Sequence, residues 1–133
     1  MKRPRSPEWI DPRALGLLHA ETLAEHGGLP GLLDQAALEA ALARPQHVHA
    51  DERNADVPRL AAAYGFGIVR DHRFSDGNKR AGFLAIGLFL ALNGFELLAD
   101  QADAVRTILA VAAGQLSEDR LTDWIREHRV RKK

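Results

Sequence analysis

The chain contains no cysteine. It therefore has no disulfide framework, no thiolate metal site and no cysteine nucleophile, which suits a reducing compartment. It has no excess of either charge sign. Eighteen basic residues balance eighteen acidic ones, so nothing in the charge calls for nucleic acid or an anionic membrane. It has no apolar run long enough to cross a bilayer, since the longest, Ala81 to Leu92, is only twelve residues. The first residues, Met1 to Pro7, are basic but lead into Glu8 and Asp11, which excludes a signal peptide. No stretch shows strand alternation, no segment repeats and none is of low complexity. What is left is a chain of 133 residues, 46% hydrophobic, enough for one domain with a proper core. The expectation is a membrane-free, cytoplasmic, all-α protein. It is a single domain over 1–133, with flexible tails at 1–10 and 129–133.

One stretch concentrates the chemistry. His72-Arg73-Phe74-Ser75-Asp76-Gly77-Asn78-Lys79-Arg80 runs directly into the uncharged segment from Ala81 to Leu92. A helix apolar all round is expected to be buried on every side, so this one reads as the central helix, with the polar loop at its N-terminal mouth. Gly77 permits a sharp bend and a close ligand approach. Beyond it, the unpaired N–H groups of the helix start and the positive end of its dipole form an anion site. Asn78 adds a neutral donor, and Lys79 and Arg80 add cations, the Arg with a fork suited to phosphate oxygens. Asp76 among these cations makes sense if Mg²⁺ bridges it to phosphates. His72 can take a proton near neutral pH. Phe74 reads as a core plug that fixes the loop. Together the residues read as a nucleoside-triphosphate site with a base. Taken one at a time, His, Asp and Asn also serve as ordinary caps ahead of a helix; it is the ordered set that is specific.

The motif H-x-F-x-D-G-N-K-R resembles the signature of the Fic/Doc superfamily. Lys79 makes it similar to the Doc branch, the toxin of a toxin–antitoxin pair. The AMP-transferring Fic branch has Gly where this chain has Lys79, a second Arg where it has Phe83, and usually Pro where it has Arg73. Glu25 to Gly31 and Ala41 to Gln46 also resemble Doc-like chains. The resemblance implies that ATP is held on the motif and that a Thr of elongation factor Tu is phosphorylated. In that reading His72 is general base, Asp76 holds Mg²⁺, and Gly77, Asn78, Lys79 and Arg80 bind the phosphates. It also implies a cognate antitoxin whose disordered C-terminal segment folds into a groove near the site, and a flap over Gln46 to Ala55 that aligns the target. The alternatives are AMP transfer by the same fold, or a non-enzymatic helical binding module. A helix-turn-helix around Leu23 to Ala43 is disfavoured by its base-poor second helix.

The rest of the chain reads as helices. Asp11-Pro12 opens the first, which Gly27-Gly28 ends. Asp34 caps a short second helix, Gln35 to Ala43, with Leu38, Ala41 and Leu42 buried and Pro45 as its stop. Asp56 caps a third, with Val57, Leu60, Ala61, Tyr64 and Ile68 as its stripe. Gly65 and Gly67 allow close helix approach, and Arg70 is a helix-end cation or a further phosphate contact. Asn93-Gly94 stops the central helix. Asp100 or Asp103 opens a fifth, with Ala104, Val105, Ile108, Val111 and Ala112 on one face, and Ser117 caps the last. The pairs His19 with His26 and His47 with His49 are weak metal signals, better read as surface and loop residues. His128 reads as a boundary residue. The expected fold is about six helices packed around Phe83 to Leu92.

Overall fold

A computed structural model describes residues 6–15, 35–70 and 78–132, with the side chains of 35–38 and 78 excepted. The architecture is all-α with one minimal two-stranded ribbon. A helical turn opens at 12–15, where Asp11 accepts the Arg13 N–H at 2.9 Å. Then come α1 (Gln35–Asp51), α2 (Val57–Arg70), α3 (Asn78–Leu92), β1 (Phe95–Leu97), α4 (Gln101–Ala112), α5 (Glu118–His128) and β2 (Arg129–Arg131). The rest of the expected first helix, with its Gly27-Gly28 stop, Asp34, and the histidines His19 and His26 lie outside the described residues.

The hub is α2. Its start is as expected, with the Asp56 carboxylate accepting the Arg59 N–H at 3.0 Å and Pro58 in the first turn, where no N–H is needed. Nine of its fourteen residues are buried, and α1, α3, α4 and α5 all pack against it. Among the described residues the central helix is thus α2 and not the helix of Phe83 to Leu92. In α3 the small face of Ala81, Gly82 and Ala85, with Ile86, Phe89 and Leu90, is buried. Phe83 and Leu92 stand 37% and 42% exposed. The reason is packing distance. A side chain at Gly65 of α2 would overlap Ile86, and one at Gly82 of α3 would overlap Val69 and sit 3.2 Å from the Gly65 carbonyl. The two helices therefore meet along one narrow, small-residue face. Gly67 has no such role, since a Cβ there would find only Arg44 Cδ at 3.6 Å.

Three further expectations are corrected. First, α1 does not stop at Pro45 but continues to Asp51, so residues 46–51 are helical where a polar loop and a flap were expected. Pro45 cannot donate to the preceding turn, yet its ring is fully buried, and that burial offsets part of the lost hydrogen bond. Second, residues 129–131, expected in a solvated tail, form β2. They pair antiparallel with β1 in the register Phe95 with Arg131, Glu96 with Val130 and Leu97 with Arg129. Gly94, at φ 89°, makes the turn into β1, and its carbonyl accepts the Lys132 N–H at 3.0 Å. The guanidinium groups of Arg129 and Arg131 lie 5.3 and 5.4 Å from the centre of the Phe95 ring, a favourable cation–π arrangement. Third, Val105 of α4 is half exposed; the buried face there is Ala104, Thr107, Ile108 and Val111.

The N-terminal segment is tied down rather than free from Glu8 onward. Asn93 accepts the Glu8 N–H at 2.8 Å and donates to the Glu8 carbonyl at 3.0 Å. Tyr64 accepts the Ile10 N–H at 3.2 Å. Trp9 stacks on Phe89, with ring centres 5.9 Å apart.

Candidate active site

The signature stretch hangs between two packed helices. It leaves α2 after Arg70 and enters α3 at Asn78. Residues 71–77, and with them His72, Phe74, Asp76 and Gly77, lie outside the described residues, as does the side chain of Asn78.

The start of α3 is cationic. The amides of positions 78–80 open α3, and the first turn holds no acidic residue that would consume the positive end of the dipole. Lys79 is exposed and Arg80 half-buried. Neither has an ion-pair partner among the described residues. Free N–H groups and two uncommitted cations are a donor set for phosphate oxygens. Phe83 follows Lys79 by one turn on the same side of the helix and is exposed. No cation stands there. The donor set thus fits a polyanion at the mouth of α3. For a divalent cation, no group of three His, Asp or Glu side chains is assembled among the described residues, and Asp76, the ligand expected from the sequence, lies outside them.

The frame is held by charges the sequence did not flag. Glu118, at the start of α5, accepts from Arg44 of α1 at both carboxylate oxygens and from Arg59 of α2 at 2.5 Å. Arg59 also holds Glu52 at 2.8 and 3.1 Å, and Arg44 donates to the Ala63 carbonyl at 3.3 Å. Burial pushes the Glu118 carboxyl up, but the hydrogen bonds from Arg44 and Arg59 outweigh it and hold the group below its usual range. The signal available in the sequence was an acid at a helix N-terminus, which ordinarily means only dipole complementarity. Arg70, at the end of α2, donates to the Val111 carbonyl at the end of α4 at 3.4 Å.

Two of the other flagged histidines, His49 and His128, lie against tryptophan rings. His49 meets Trp9 edge-on, with ring centres 5.6 Å apart. His128 lies against Trp124, its Nδ1 2.7 Å from the Trp124 carbonyl and its Nε2 3.5 Å from Asp103. A cleft of about 720 Å³ lies where His49, Arg53, Phe95 and Arg129 meet the start of α2. It is at the opposite end of that helix from the signature stretch, about 20 Å away for fourteen residues, so it is not the same site.

A family model described as the Fic/DOC family matches residues 9–90. The chain belongs to the Fic/DOC family. The match spans α1 to α3 and contains the whole signature stretch. Among curated relatives, a protein named protein kinase doc from Escherichia phage P1 is 32% identical over 117 residues, covering 88% of this chain and 92% of that protein. A protein named toxin Doc from Mycolicibacterium smegmatis is 42% identical over 78 residues, covering 56% of this chain and 58% of that protein. Within Fic/DOC, then, the chain falls on the Doc side, as Lys79 and Phe83 suggested. The α4–α5 part lies beyond the family match, although the long alignment to the phage protein takes in most of the chain.

Proposed function

We propose that this protein is the toxin of a toxin–antitoxin pair, a single Fic/DOC domain that transfers the γ-phosphate of ATP to a hydroxyl, a Thr of elongation factor Tu, and so stops protein synthesis in the cytoplasm. The observation that carries this reading is the exposed pair Lys79 and Phe83 on one side of α3. A side chain at position 79 crowds the space that Gly leaves for a phosphate in the AMP-transferring branch, and Phe83 supplies no second Arg. Both departures favour attack at the γ-phosphorus over the α-phosphorus. The name of the phage relative, protein kinase doc, agrees with that choice.

The chemistry follows from the residues. His72 takes the proton of the target hydroxyl as its oxygen bonds to the γ-phosphorus. The bond from that phosphorus to the β,γ-bridging oxygen breaks, and ADP leaves. Lys79, Arg80, Asn78 and the backbone at Gly77 hold the phosphates in line and take up charge as it moves to the leaving oxygen. Asp76 would hold Mg²⁺, which would supply charge neutralisation for the phosphates. Phe74 anchors the loop. The cognate antitoxin, with a disordered C-terminal segment, neutralises the enzyme by covering this end of the molecule. Among the described residues no helix is long and apolar enough to cross a membrane.

Incubation of the protein with Mg²⁺, elongation factor Tu and ATP labelled at the γ- or the α-phosphate, with His72→Ala as control, separates the readings. Transfer of γ-label alone is expected. Transfer of α-label would move the protein to AMP transfer. No transfer of either, with no ATP binding, would leave a helical binding module.

A further inference from the structure

Helices α2 and α3, which flank the signature stretch, are held together by the close approach at Gly65 and Gly82, and a further contact holds the end of α2. Arg70 is the last residue of α2 and stands two positions before His72. Its guanidinium does not serve its own helix. It reaches across to α4 and donates through NH1 to the Val111 carbonyl at 3.4 Å.

The receiving end is built for it. Helix α4 closes with paired bonds, Gln115 N–H to the Ala110 carbonyl at 2.8 Å and Gly114 N–H to the Val111 carbonyl at 3.1 Å, around a left-handed Gly114 at φ 77°. The negative end of the α4 dipole therefore faces the Arg70 cation. A Cβ on Gly114 would lie 2.8 Å from NH1 of Arg70 and 3.8 Å from its Cζ. Among the described residues Arg70 pairs with no carboxylate, and the Val111 carbonyl is its hydrogen-bond partner.

We infer that Arg70 is a positioning residue: it docks the upstream end of the signature loop on the C-terminal turn of α4, and Gly114 leaves the room that this docking needs. The α4–α5 part of the molecule, outside the family match, thereby bears on the site. The inference rests on the proposed phosphotransfer only for its kinetic readout.

The test uses the full chain and the variants Arg70→Met, Arg70→Lys, Gly114→Ala and the Met–Ala double variant. Steady-state γ-phosphate transfer from Mg²⁺-ATP to elongation factor Tu is measured below the melting temperature of each. Amide exchange is followed by mass spectrometry over residues 68–80 and 108–116. Arg70→Met is expected to lower kcat roughly tenfold or more, since a small misplacement of reacting groups is costly. KM for ATP should change by about twofold or less. Arg70→Lys should recover part of kcat. Gly114→Ala strains the left-handed turn in either background and should lower stability in both, but it should lower kcat less in the Met background than in the wild-type one, where NH1 of Arg70 must also move. Exchange should rise together in the two windows and not in α5. An unchanged kcat, a raised KM with kcat intact, or an even rise in exchange over the whole chain would overturn the inference. If the wild-type protein transfers no phosphate, the functional reading fails instead. The exchange data then decide the docking alone: a joint rise in the two windows upholds it and its absence overturns it.

Discussion

At the residue scale, the chemistry rests on a short list with separable roles. His72→Ala is expected to abolish phosphate transfer while the melting temperature stays within a few degrees, because a loop residue carries little of the packed core. Transfer at the wild-type rate would remove His72 from the role of base. Asp76→Asn keeps the shape and removes the charge that a hard cation needs. ATP binding should then lose most of its dependence on Mg²⁺, which calorimetry with and without the metal would register. Lys79 and Arg80 differ from both. They are cations at a helix start with no ion-pair partner among the described residues, so replacing them should weaken nucleotide binding and raise KM, and should also lower kcat through the lost stabilisation of the moving charge.

At the scale of elements, the narrow contact between α2 and α3 sets the mouth of the site. Gly82→Ala adds one methyl group that must displace Val69 and press on the Gly65 carbonyl. Overpacking of this kind costs about 1–3 kcal/mol, offset by less than 1 kcal/mol of better helix propensity. A fall in thermal stability is expected, and an increase would mean that the helices can part without loss. The sequence announced this contact only in part. Gly65 was legible as a close-approach glycine because it interrupts an apolar stripe, but Gly82 was hidden inside a run where every residue is apolar. The same uniformity concealed which side of α3 is covered. Where a helix has no polar face, its partner decides the buried side, and the partner is a tertiary fact. Pro45 misled for a related reason: a buried ring sustains a helix that its missing N–H would otherwise end. The ribbon of β1 and β2 was illegible because three residues are too few to show alternation. The caps at Asp56 and Ser117, by contrast, were read correctly, since a cap is a local bond between a side chain and an amide two or three residues on. The signature stretch was likewise legible because its chemistry is contiguous.

At the scale of the molecule, titrating groups tie distant elements together and give the fold a bounded pH range. Glu118 joins α5 to α1 and α2, and Asp56, at the start of α2, receives Arg126 of α5 at 3.0 and 3.1 Å. For Asp56, burial raises the carboxyl but the Arg126 and Arg59 bonds more than offset it, so it too lies below its usual value. Both groups are more acidic folded than unfolded. Their stabilisation is therefore complete above the ordinary values of 4.5 and 3.8 and is lost as pH falls below them. Tyr64 acts at the other end. Burial raises its phenol, while the bond from the Ile10 N–H opposes this more weakly. A raised value means that the folded state favours the protonated form, so that contribution is present below 10.0 and lost as pH rises beyond it. Stability followed by denaturant across pH should be flat between these limits and fall on both sides. The side chain of Glu118 is 13% exposed and that of its partner Arg59 17%, so the acid limb should belong mainly to this cluster. Glu118→Gln is expected to cost about 1–2 kcal/mol at neutral pH, since it leaves two guanidinium groups short of a charged acceptor. The same variant should flatten the acid limb while leaving the alkaline one in place. Tyr64→Phe should do the converse. An acid limb that survives Glu118→Gln unchanged would mean that the three-helix junction is held by apolar packing alone.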